Sequence, residues 1–81
     1  MRFRIAFDYE RCDSEGTVQL VETWYFYAFG VLGRGGQVHV SSIDEIDEAC
    51  KYHTKDEVDM AFGLIKYLCP DIVNLRIEPV E

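Results

Sequence analysis

The chain has 81 residues, 48% of them hydrophobic, 28% charged and 14% aromatic. That is apolar surface for one domain spanning 1–81 around one core, and too much for a disordered or low-complexity chain. Eight basic against fifteen acidic residues leave a net charge of −7, which argues against generic attraction to a phosphate backbone. At this size only about 60–65% of the unfolded surface is buried on folding, so a partner is a natural source of further burial.

Residues 2–9 alternate, with Phe3, Ile5, Phe7 and Tyr9 on one side and Arg2, Arg4, Ala6 and Asp8 on the other. This period of two predicts a half-buried strand. Asp13-Ser14-Glu15-Gly16 supplies turn chemistry. Residues 17–32 fit two patterns. Val18, Val21, Tyr25, Ala28, Phe29 and Leu32 make a helical stripe, yet residues 23–29 hold five aromatics. Bulky rings lose rotamer freedom in a helix and suit a pleated surface, so we assign a long strand. Gly33-Arg34-Gly35-Gly36 then predicts a tight connection, and residues 37–41 a short strand with Val38 and Val40 on one face.

The period changes at Ser42. Ser42 and Glu45 have capping-box spacing ahead of Ile43, Ile46 and Cys50, which predicts a first helix. Thr54 and Glu57 repeat the signal and open a second, whose core stripe is Val58, Ala61, Phe62, Ile65 and Leu68. Pro70 ends it. Val73, Leu75 and Ile77 alternate with polar residues in a last strand. The order β-β-β-α-α-β predicts an α+β fold: an antiparallel sheet of three to four strands with a helix pair packed on one face.

Charge is unevenly placed. Residues 41–59 hold Asp44, Glu45, Asp47, Glu48, Asp56, Glu57 and Asp59 against Lys51 and Lys55, a net of −5. Carboxylates in a helix's first turn are stabilising by about 0.3–1 kcal/mol each. Neighbouring carboxylates repel, however, and one turn needs only one or two. The excess fits a row of charges imitating phosphates and docking on a Lys/Arg-rich surface. On the second helix, Met60, Leu64 and Tyr67 form another apolar stripe. Either the first helix folds back over it through Ile43, Ile46 and Ala49, or it is a contact site.

The remaining constellations are weaker. Val21, Thr23, Tyr25, Tyr27 and Phe29 form one face of the long strand, and Arg2, Arg4, His39 and Arg76 point outward on theirs. Such a face resembles base-stacking platforms in residue type only, without the RNP1 pattern, and also suits a homodimer. Cys50 and His53 are half a metal motif, whereas structural zinc uses two short-spaced pairs. No catalytic set and no cofactor motif emerges.

We therefore expect a non-enzymatic, acidic interaction module with no cofactor and no metal. Its expected partner is a basic, nucleic-acid-handling protein, and its expected role that of an inhibitor or adaptor, as with small viral inhibitors such as anti-CRISPR proteins. A homodimer using the sheet face or the Met60, Leu64 and Tyr67 stripe is the alternative, and direct nucleic-acid binding the weakest. The first ten residues lack an apolar run of signal-peptide length, and no window reaches the roughly 18–20 apolar residues that cross a bilayer. Cysteines at 12, 50 and 69 are odd in number and irregular in spacing, which points to a reducing cytoplasm.

Overall fold

Alternation along the first residues becomes a strand in the computed structural model, which describes residues 1–80. The elements are β1 (Arg2–Cys12), β2 (Val18–Leu32), β3 (Gln37–Ile43), α1 (Lys55–Leu68) and β4 (Val73–Val80), with a single 3-10 turn at Ile46–Glu48. The strands form one antiparallel sheet in the order β3-β2-β1-β4. With α1 laid on one face, the molecule measures 20 Å along its shortest axis, two layers of secondary structure.

The aromatic-rich segment is extended, and it is the longest strand at 15 residues. Asp13 sets the β1–β2 turn: its Oδ1 accepts the amide N–H groups of Glu15 (2.9 Å) and Thr17 (3.0 Å). Gly16 takes a left-handed φ of 82° there, which glycine adopts without steric cost.

Directly paired residues share a sheet face. Ile5 with Ile77 and Phe7 with Trp24 face α1, joined by Phe26 and by Val58, Ala61 and Ile65 from the helix. Arg4 with Glu78, Ala6 with Tyr25 and Arg76, and Asp8 with Thr23 occupy the opposite face. A β-bulge at Phe26/Ala28 inserts Tyr27 as an extra residue. Alternation therefore shifts by one, and Phe29 packs against the core, 4.7 Å from Phe26 between ring centroids. The expected open face loses Phe29 for this reason.

Beyond Tyr25, β2 no longer pairs with β1. Residues 50–52 fill the split. The Cys50 N–H donates to the Phe26 carbonyl (2.9 Å), and Phe3 and Tyr52 exchange both backbone hydrogen bonds (2.8 and 2.7 Å). The Tyr52 ring stacks on Phe26 at 6.3 Å.

This wedge replaces the first of the two predicted helices. Ser42 and Ile43 remain in β3, Ile43 opposite Tyr25, and only the 3-10 turn follows, with no side-chain cap at Glu45. An eight-residue stripe is too short to stabilise a helix, and Asp44, Asp47 and Glu48 would repel at i,i+3 and i,i+4. The fold is α+β with one helix, not a pair.

Candidate protein-interaction surface

Asp44, Glu45, Asp47 and Glu48 lie on the connection between β3 and α1, and all four are exposed. Buried Ala49 and the wedge at residues 50–52 hold this connection on the sheet. Lys51 Nζ donates to the carbonyls of Asp47 (2.9 Å) and Ala49 (3.2 Å), so its charge is spent on backbone rather than on a neighbouring carboxylate. Asp56, Glu57 and Asp59 follow on the first turns of α1, also exposed.

Two of the seven carboxylates have internal partners. Glu57 accepts from the Thr54 hydroxyl (3.1 Å), while Thr54 Oγ1 accepts the Glu57 N–H (3.2 Å), so the expected N-cap forms with Glu57 bound to the Thr54 side chain rather than to its backbone N–H. Asp59 lies 3.8 Å from Lys55 in an exposed i,i+4 pair. Among the described residues, the carboxylates of Asp44, Glu45, Asp47, Glu48 and Asp56 meet no cation within 4 Å and accept no hydrogen bond. The dipole argument covers Asp56 on α1. It does not extend to residues 44–48, which lie well outside the first turn of α1.

The outer face of α1 carries exposed apolar groups. Met60 is 79%, Leu64 42% and Tyr67 82% exposed. The helix expected to fold over them does not form, and Ile46, one of its intended contacts, is itself exposed. Met60 and Leu64 line a shallow groove of ≈ 340 Å³ with Phe29, Tyr52, Ala61 and Glu57. The groove thus brings together Glu57, Met60 and Leu64 from the expected site. Asp56, Asp59 and Tyr67 share their helix outside it, and Asp44, Glu45, Asp47 and Glu48 stand on the preceding connection with no hydrogen bond or ion pair to α1. Burial pushes the Tyr52 phenol up to about 12, with Cys50 and Glu57 adding to it.

The opposite sheet face holds a network that composition did not reveal. Asp8, only 8% exposed, accepts from Thr23 Oγ1 (2.9 Å), Asn74 Nδ2 (3.0 Å) and Arg76 Nη1 (3.3 Å). Glu78 accepts from Arg4 Nε (2.7 Å) and Arg76 Nε (3.2 Å). The Asn74 hydrogen bond, aided by Thr23 and Arg76, holds the Asp8 carboxyl below its ordinary value despite burial. For Glu78 burial acts upward, and the guanidiniums of Arg4 and Arg76 outweigh it. Arg4 and Arg76 are thereby ion-paired in place.

Nothing assembles around Cys50 and His53: among the described residues, no group of three or more His, Cys, Asp or Glu could hold a metal ion. All three cysteines are free thiols. A larger concavity of ≈ 520 Å³ at the C-terminal end of α1 is lined by Phe62, Lys66, Cys69, Pro70, Ile72, Asn74 and Leu75. Burial, then Asp71, pushes the Cys69 thiol up, opposite to the activation a nucleophile needs. No helix among the described residues is long and apolar enough to cross a membrane. No family model, curated protein or solved structure matches the chain.

Proposed function

We propose that the chain is a non-enzymatic interaction module, an inhibitor or adaptor, that docks the outer face of α1 and the preceding carboxylates onto a basic protein surface. Nucleic-acid-handling proteins present such surfaces, and the three free thiols suit the reducing cytoplasm. The observation that carries the reading is the combination of five carboxylates without internal partners and the exposed Met60, Leu64 and Tyr67 on the helix that follows four of them and carries the fifth. An apolar centre rimmed by charge is common interface anatomy, with charge steering encounter and the apolar anchors slowing release.

The test is capture of partners from the native cell at low and high salt. Three forms are compared: wild type, a variant with Asp44, Glu45, Asp47 and Asp56 changed to Lys, and a Met60→Ser, Tyr67→Ser variant. The reading expects a basic protein retained at low salt, released at high salt, and lost with either variant while both remain folded by circular dichroism. Equal recovery of that protein on all three forms would overturn it.

A further inference from the structure

The two edges of the sheet are built differently. β4 is protected against further pairing: it carries Arg76, Glu78 and Pro79, and its second residue, Asn74, has a left-handed φ of 54°. Charges, proline and irregular backbone are the usual means of blocking an edge. β3 has no charged residue, no proline and no left-handed residue, and its register shift against β2 at Phe26/Ala28 lies on its inner side, as that of β4 against β1 does. Its sequence, Gln-Val-His-Val-Ser-Ser-Ile, contains no Lys, Arg, Asp, Glu or Pro in a chain of net charge −7. Alternate residues of β3 aim their N–H and C=O groups away from β2. Among the described residues, no group outside β2 hydrogen-bonds to that row.

Charge at the two ends of β3 indicates what covers it. Arg34, on the glycine-rich turn before the strand, meets no carboxylate within 4 Å, and Asp44 and Glu45, just after it, meet no cation. An antiparallel pairing of β3 with a second β3, centred on Val40, sets Val38 opposite Ser42 and brings the turn at residues 33–36 of each copy to the end of the partner's strand, where Asp44 and Glu45 follow. Arg34 of each copy then lies at the same end of the joined strands as the partner's Asp44 and Glu45, so that opposite charges meet at both ends of the contact. The contact is self-complementary and occurs twice about the two-fold axis, as a closed symmetric interface requires.

We infer that β3 is a self-association edge: a second copy of this chain adds its β3 antiparallel, doubling the four-stranded sheet, with Arg34 of each copy against Asp44 and Glu45 of the other. This does not rest on the docking reading. It occupies Asp44 and Glu45 and leaves Asp47, Glu48, Asp56, Glu57, Asp59 and the apolar stripe of α1 free.

Sedimentation equilibrium from low micromolar to millimolar concentration tests it. The expected result is a reversible species of twice 9.4 kDa. Val38→Lys and Arg34→Glu, both at exposed positions, each weaken association by about tenfold or more. Adding Asp44→Arg and Glu45→Arg to Arg34→Glu restores it, because both copies then carry the reversed pair. A 9.4 kDa species at every concentration would overturn the inference. So would a dimer that neither single variant weakens, or one that the triple variant fails to recover. Capture of a basic partner through α1 does not depend on Arg34, so failure here and failure of the docking reading are distinguishable.

Discussion

Asp8 shows how one residue can be half legible. Alternation set it opposite Phe7, on the face away from the helix, and it lies there. Its partners Asn74 and Arg76 are 66 and 68 residues away, and only the register with β4 brings them near. Asp8→Ala should cost about 2–3 kcal/mol in urea unfolding, because it leaves the Asn74 amide and the Arg76 guanidinium short of an acceptor. The carboxyls of Asp8 and Glu78 sit below their ordinary values in the folded chain. As pH falls, the unfolded chain binds those protons first. Their stabilisation is therefore complete above the ordinary carboxylate range of about 4 and is lost as pH falls through the depressed folded values. An Asp8→Asn, Glu78→Gln variant should show a shallower decline in unfolding free energy between about pH 5 and pH 2 than wild type. Parallel profiles would remove these two groups from the acid transition.

At the scale of elements, strands and the long helix were legible because their hydrophobic periods persist. β2 was resolved correctly by the steric cost of crowding aromatics in a helix, and α1 by its stripe, its Thr54–Glu57 spacing and Pro70. The first predicted helix failed because Ser42 and Glu45 satisfy a local pattern that tertiary pairing overrides: Ile43 pairs with Tyr25, and the wedge at 50–52 bonds the sheet. The bulge at Tyr27 left no sequence signal, since an extra residue has meaning only against a partner strand. Thr54→Ala should lower stability by about 1 kcal/mol through loss of the cap. On the same helix, Ile65→Ala should cost about 2–4 kcal/mol, whereas Met60→Ser and Tyr67→Ser should each stay within about 0.5 kcal/mol, as exposed sites do. A large loss at Met60 or Tyr67 would mark the stripe as part of the fold rather than a contact surface.

For the whole molecule, the balance of charge is the central fact. Net −5 of the −7 lies in residues 41–59, and little of it is used internally. Its uneven placement was readable from composition. Its excess over local need became clear only once the 3-10 turn stood where a helix dipole was expected. Mutual repulsion among these groups should make the folded chain more stable as salt is added, by screening. The most direct measurement is urea unfolding of a chain with Asp44→Asn, Glu45→Gln, Asp47→Asn, Glu48→Gln and Asp56→Asn. If the carboxylates are surplus to folding, its stability equals or exceeds that of wild type, within about 1 kcal/mol for the lost dipole contact at Asp56. A loss greater than about 2 kcal/mol would contradict the account, because five carboxylates that hold the fold together are not surplus charge available to a partner.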